Sequence, residues 1–270
     1  MAIRPVANVA EIEACVDLQQ QVWGFPDREL IPVSELRSVA RRGYLRVADA
    51  PGAGVVGFCF GFWTLEDARP ALYSRMVAVR SEWRGRGLGV ALKLDQREWV
   101  LAHGADLVLW TCDPLVAGNG RLNFGLLGAE SLEYLEDFYG ARQNEIQRGL
   151  PTDRLVVRWP LARPATVARL HRRTAAPRVA DVVADAPAWV RAEGTAEAPA
   201  PVAERPDAPR VRVEVPRAIE VLRDRDPERA LAWRLAVRAA LTEAFAAGYR
   251  VADFAPADDR PCAGAYLLER

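Results

Sequence analysis

The residues best suited to chemistry lie in one short segment, Met76-Val-Ala-Val-Arg80-Ser-Glu-Trp-Arg84-Gly-Arg-Gly-Leu-Gly89-Val90. An apolar strand runs into a glycine-rich turn, and helix-forming residues begin at once. Glycine leaves no Cβ between a backbone N–H and an oxyanion. The first turn of a helix adds unpaired N–H donors and the positive end of its dipole. Together they make a cradle for a pyrophosphate. A nucleotide P-loop ends in Gly-Lys-Ser/Thr, whereas this turn runs Gly87-Leu88-Gly89, so that reading is rejected. A dinucleotide fingerprint spaces its glycines Gly-x-Gly-x-x-Gly after the first strand of its unit. Here Gly85, Gly87 and Gly89 alternate, after the fourth predicted strand.

Acid–base candidates are scattered. Glu66, Asp67 and Asp113 are the carboxylates placed to act as a base. Asp113 follows the apolar run 107–112, at the strand end where α/β sheets gather ligands. Turn formation or helix capping competes for it. Asn119 and Asn123 follow on the next predicted helix. The four cysteines (Cys15, Cys59, Cys112 and Cys262) include no Cys-x-x-Cys pair, which argues against a zinc site or a disulfide framework. The two histidines, His103 and His171, have no evident catalytic setting, which argues against a Cys–His nucleophile.

The elements that must position these residues read as an alternation over 1–160. A strand covers 2–6. A helix follows with Asn8 as cap and Ile12, Cys15, Val16, Gln19, Val22 and Trp23 at helical spacing, ended by Gly24-Phe25-Pro26. A second helix covers 34–42 with Ser34 as cap. Strands over 44–49 and 54–63 are joined by a turn-rich hexapeptide, and a loop holding Glu66, Asp67 and Pro70 leads to strand 72–79. Helix 87–102, strand 107–112, a short helix over 117–127 and strands near 130–137 and 154–159 complete the block. Residues 161–208 are rich in Ala, Pro and Arg and read as a linker, with a short helix near 165–173. Residues 209–270 regain order: strand 211–215, helix 226–247 closed by Gly248, and strands 249–254 and 264–269.

Length and composition fit this reading. The 270 residues are half hydrophobic, with 36 basic and 36 acidic side chains. That balance points to neither nucleic acid nor an anionic membrane. Lys93 is the only lysine. A GC-rich coding sequence explains such a bias, and arginine fields for phosphate are the alternative. The N-terminus lacks a signal-peptide pattern, and the apolar run 55–63 is too short to span a bilayer, so a cytoplasmic protein is expected.

Arg84-x-x-Gly87-x-Gly89, between an apolar strand and an amphipathic helix, resembles the acetyl-CoA motif of the GNAT N-acetyltransferase superfamily. The element order over 1–160 resembles that fold too. Further segments resemble a subgroup of predicted acetyltransferases: Trp110-Thr-Cys-Asp113-Pro114, Asn119 to Asn123, Leu127-Gly128-Ala129, Phe138-Tyr139-Gly140, Gly149 to Leu155, Ala230-Leu-Ala-Trp-Arg234 and Gly248-Tyr-Arg-Val251. The resemblance implies an α/β (α+β) chain. A mixed, mostly antiparallel sheet with flanking helices is expected over 1–160, followed by the linker 161–208 and a small β-α-β-β lobe over 209–270, packed on the first domain or on a second chain. It implies pyrophosphate contacts from the backbone N–H groups of Arg84, Arg86, Gly87, Leu88, Gly89 and Val90. Val77 and Val79 would pair with the pantetheine amides between splayed strands, and Asn119 and Asn123 could hydrogen-bond CoA. Many such enzymes protonate the leaving thiolate with a tyrosine on the helix after the fifth strand. Phe124 stands near that position, leaving Tyr134 and Tyr139 as substitutes, with Asp113 and Glu66 as bases. The implied activity moves an acetyl group from acetyl-CoA to an amine of an unidentified small molecule or peptide. The alternatives are a non-catalytic acyl-CoA-binding module and transfer of a longer acyl group. No metal, nucleic acid or membrane is expected, and the chain is expected to be a monomer or homodimer.

Overall fold

The computed structural model describes residues 1–140, 149–171, 177–257 and 261–270. The chain forms two compact units. Of the described residues, one holds Met1–Trp110 with Pro160–Ala162, and the other holds those of 111–159 and 163–270.

The first unit begins with β1 (Ala2–Pro5), α1 (Val9–Trp23), α2 (Val33–Arg42), β2 (Tyr44–Ala50), β3 (Gly54–Glu66) and β4 (Arg69–Val79). It continues through α3 (Leu88–Ala102) into β5 (Leu107–Cys112), which ends in the second unit. Strands β1 to β4 are neighbours in antiparallel order, and β4 pairs parallel with β5. Asn8 caps α1 by accepting from Glu11 N–H at 3.0 Å, and Gly24 ends it at φ 62°. Helices α1 and α2 cover one face of the sheet, burying Ile12, Cys15, Leu18 and Leu36 against Phe58, Phe60, Met76 and Ala78. Truncating one such leucine to alanine costs about 2–5 kcal/mol.

Two local expectations change here. Helix α2 starts one residue before Ser34, because Pro32 O accepts from both Glu35 and Leu36 N–H at 3.1 Å. Ser34 lies inside the first turn and is not the cap. The expected loop over Glu66, Asp67 and Pro70 is the tip of a long β3–β4 hairpin, closed by Asp67 and Ala68 at φ 49° and 61°. Two left-handed residues in a two-residue loop match the right-handed twist of the strands. Neither residue is glycine, which is why the turn was not legible.

The second unit holds α4 (Ala117–Gly120), a π-helical turn over Arg121–Leu126, β6 (Glu130–Leu135), β7 (Arg154–Pro160), α5 (Pro164–Leu170) and α6 (Val179–Val182). It then adds β8 (Ala188–Gly194), β9 (Pro199–Ala203), β10 (Arg210–Pro216), α7 (Ile219–Arg225), α8 (Pro227–Ala246), β11 (Arg250–Pro256) and β12 (Cys262–Glu269). Its strands lie in the order β7-β6-β11-β12-β10-β8-β9. The C-terminal strands thus continue the β6–β7 pair through Ser131↔Val251.

Much of the segment that reads as linker is structured. Strand β8 pairs parallel with β10, and β9 folds back on β8 with Pro201 opposite Ala192 and Pro199 opposite Gly194. An edge strand tolerates proline because its outward N–H groups need no partner. The same Ala/Pro composition therefore suits a linker or a sheet edge. The end of the helix expected over 165–173 lies outside the described residues. Helix α8 buries Ala230, Trp233, Val237, Leu241 and Ala244, and Trp233 Nε1–H donates to Pro199 O at 2.9 Å.

Candidate functional site

In the first unit, the β4–β5 pairing consists, among the described residues, of Leu72↔Val108 and Tyr73↔Leu109. Strand β4 then runs six residues further, about 20 Å at ~3.3 Å each, paired among the described residues on its β3 side alone. The register phase decides which groups it offers. Arg80 N–H donates to Val56 O at 2.9 Å, just past the Val79↔Gly57 pair. Hydrogen-bonded and non-bonded pairs alternate in an antiparallel ladder. Val79↔Gly57 and Val77↔Cys59 are therefore non-bonded pairs, and the N–H and C=O groups of Val77 and Val79 point away from β3 toward the β5 side. The ladder also slips between Phe60 and Gly61, which leaves Arg75 as the extra residue of a β-bulge on β4.

Beyond Val79 a single 3-10 turn, Ser81–Trp83, leads to the glycine cradle. Gly85 and Gly87 sit at φ 74° and 79°, a region that side chains other than glycine avoid. The first backbone bond of α3 is Ala91 N–H to Gly87 O at 3.0 Å. The N–H groups of Leu88, Gly89 and Val90 precede it and have no intrahelical partner. Gly89 is already helical, and a methyl group built on it meets no atom within 4 Å. Nothing inside the described chain requires glycine there. The open space lies where an anion would approach.

The arginines divide. Arg84 folds back, donating from Nε to Val79 O at 3.1 Å, and so caps one of the outward carbonyls. Arg86 is exposed and stacks over Trp83 at 5.1 Å. Arg80, at the end of β4, was not singled out from sequence. Its Nε is buried without a hydrogen-bond partner among the described residues. Its position just after an apolar strand was the signal that could have marked it.

Glu66 lies at the hairpin tip opposite Arg69. That is five residues from Ser74, or about 16 Å along the strand. The tip stands apart from both the fork and the cradle.

The remaining candidates belong to the second unit. Asp113 accepts two parallel bonds from Arg234 on α8, Nη1 at 3.0 Å and Nη2 at 2.8 Å, and a third from Leu115 N–H at 2.9 Å. Arg154 stands 3.7 Å away. With its lone pairs so occupied, Asp113 serves as the anchor of a buried fork-to-fork pair. Tyr134 donates its hydroxyl to Asp153 at 2.7 Å, and burial above all drives its pKa upward, away from that of a useful acid. Burial alone would raise the Asp153 carboxyl, but bonds from Arg238, Asp137 N–H and Tyr134 outweigh it and hold the pKa below the ordinary range. Tyr139 is half-buried, with its hydroxyl 3.5 Å from Thr111 Oγ1 and its ring 5.0 Å from the Arg154 guanidinium. Asn119 Nδ2 donates to Asp113 O at 3.4 Å, and Asn123 is buried with its side chain hydrogen-bonded to Cys112. Phe124 is fully buried, edge-on to Tyr266. The second unit thus gathers Asp113, Tyr134 and Tyr139, and adds Arg154, Asp153, Arg234 and Arg238. Asp153 and Arg234 sat in segments quoted for their resemblance, but nothing in one dimension paired them.

No protein-family model matches the chain, and no curated protein matches it. Among solved structures, the chain is similar to one from the NatC complex bound to Gag peptide and CoA. That match has 16% identity and a TM-score of 0.46, covering 59% of this chain and 97% of that one. It is also similar to the ribosomal-protein-S18-alanine N-acetyltransferase from Escherichia coli (14%, TM-score 0.47, 60% and 94%). A third is Arabidopsis thaliana Naa50 in complex with the bisubstrate analogue CoA-Ac-MVNAL (13%, TM-score 0.46, 58% and 96%). No helix among the described residues is long and apolar enough to cross a membrane.

Proposed function

We propose that this chain is an N-acyltransferase of the GNAT type, taking an acetyl group from acetyl-CoA to an amine of a small molecule or peptide. One coincidence carries the reading: a strand edge with outward backbone groups at Val77 and Val79 ends at a glycine turn with free helix N–H groups. Acetyl-CoA has the complementary order, an amide-bearing pantetheine chain joined to a pyrophosphate. Val77 and Val79 would pair with the amides, Arg84 Nε yielding the Val79 carbonyl. Arg86, Gly87, Leu88, Gly89 and Val90 would donate to the phosphates, with Arg80 beside them.

The chemistry needs a neutral amine held close to the thioester, a site for the developing oxyanion, and a proton for the departing sulfur. The bulge supplies a donor of the right kind. Arg75 is the extra residue of that bulge, out of the regular β3 pairing, and its backbone N–H would be the candidate donor. Titration calorimetry with acetyl-CoA, followed by thiol release with a panel of primary amines, tests the reading. No heat of binding sinks it. Binding without turnover on any amine replaces it with a non-catalytic acyl-CoA module.

A further inference from the structure

The first unit buries a polar cluster that the cradle and the open strand edge do not use. Lys93 on α3 is 2% exposed. Its Nζ donates to Ser74 Oγ at 3.1 Å and to Gln96 Oε1 at 2.8 Å, and stands 3.6 Å from the centre of the Trp110 ring. Gln96 Nε2 in turn donates to Cys59 Sγ at 3.3 Å, and Ser74 bonds the same sulfur. The four side chains close a ring of hydrogen bonds between the sheet and α3.

The place of this ring in the sheet is what matters. Among the described residues, Tyr73↔Leu109 is the last β4–β5 pair. Ser74 is therefore the first β4 residue past the fork, and Trp110 the first β5 residue past it. Lys93 touches both. Its amine therefore stands beside the apex of the wedge, at the opposite end of the open edge from the cradle.

Residue choice reinforces the geometry. Lys93 is the only lysine; every other basic residue among the 36 is arginine. Arginine stays charged at any working pH, whereas a buried lysine can give up its proton. The chain places its one lysine where a cation is almost wholly buried.

We propose, resting on the acyl-CoA reading, that Lys93 donates the proton to the sulfur that leaves when an acyl thioester is cleaved at the apex between β4 and β5. The carbon–sulfur bond breaks with its electron pair going to sulfur. The Nζ–H bond breaks toward that sulfur, leaving a thiol and a neutral amine. The attacking amine loses its own proton to solvent, and Lys93 regains one from solvent when the wedge empties. Ser74 Oγ and Gln96 Oε1 hold Nζ in place in both protonation states. This supplies the acid missing at Phe124 without calling on Tyr134, whose hydroxyl is committed to Asp153.

Burial lowers the Lys93 pKa to about 7, with the Cys59 thiol opposing the shift. The other titratable groups around the ring are Cys59 on β3, pushed up to about 11 by burial, and Asp95 on α3 with Arg46 and Tyr44 on β2 behind it. The donor form of Lys93 is the ammonium. Turnover that depends on it holds below about pH 7 and falls as the pH rises through that value.

A single lysine makes the test direct, because ε-13C-lysine labelling gives one NMR resonance that needs no assignment. In the intact protein it should titrate near neutrality and shift when CoA is added. Dethio-CoA, bound equally by calorimetry, should produce a smaller shift. Equal shifts with CoA and dethio-CoA, or none with either while both bind, would overturn the assignment and leave the acyl-CoA reading intact. Failure of CoA to bind overturns both. Lys93→Met should lower kcat for thiol release from acetyl-CoA by about 10²–10⁴-fold, leave KM for acetyl-CoA unchanged, and abolish the alkaline fall. An unchanged kcat with the same pH profile would equally overturn it.

Discussion

Gly89→Glu should move stability and ligand affinity in opposite directions. Gly89 is the second residue of α3, helical, with open space where a Cβ would stand. Replacing a helical glycine relieves roughly 0.5 kcal/mol of propensity cost. A carboxylate in the first turn adds about 0.3–1 kcal/mol through the helix dipole. The free protein should gain about 1 kcal/mol, or about 2–4 °C in Tm if it unfolds as one domain of this size. The same carboxylate would stand beside a bound pyrophosphate. At ~4 Å and an effective dielectric of ~20, the repulsion is about 4 kcal/mol, roughly a thousandfold in affinity. Differential scanning calorimetry gives the first quantity and titration with acetyl-CoA the second. A raised Tm with unchanged affinity would refute the cradle as a phosphate site. A lowered Tm would show that the space at Gly89 is not open.

Arg80→Gln should weaken acetyl-CoA binding by about 1.5–3 kcal/mol, the range for a hydrogen bond to a charged group. The Tm should change little, because the buried Nε has no hydrogen-bond partner among the described residues to lose; an unchanged Kd would remove Arg80 from the site. Ala68→Gly should stabilise the β3–β4 hairpin by about 1 kcal/mol, relieving a left-handed alanine, as read by thermal denaturation. Arg234→Met should destabilise the protein by about 3–5 kcal/mol, because it strands the Asp113 carboxylate that Arg234 grips with two bonds. Denaturant titration showing under 1 kcal/mol would return Asp113 to candidacy as a base. The lowered pKa of Asp153 contributes stability that is fully present above about pH 4, the ordinary carboxylate value, and is lost as the pH falls through the folded value. Acid titration of Arg238→Met should show a shallower loss of stability below that pH than the parent; equal slopes would contradict the role given to Arg238.

What could be read in one dimension was local. The strand, glycine turn and helix around Arg84 to Gly89 are neighbours in the chain, so residue type and spacing define the cradle without a fold. The Asn8 cap, the Gly24 terminus, strand 107–112 and the apolar stripe of α8 are local in the same sense. Even Val77 and Val79 were reached by analogy with a motif, whereas their outward orientation depends on the phase of the β3–β4 ladder. Other features required distant segments to meet. Asp113 looked like a base because Arg234 is 121 residues away. Tyr134 looked like an acid because Asp153 had not yet met it. Pro199 and Pro201 looked like linker because an edge strand and a tether share a composition, and the difference lies in β8 beside them. Lys93 looked like an accident of codon usage. Only the packing of α3 against β4 and β5 puts its amine between Ser74 and Trp110, where the two strands part.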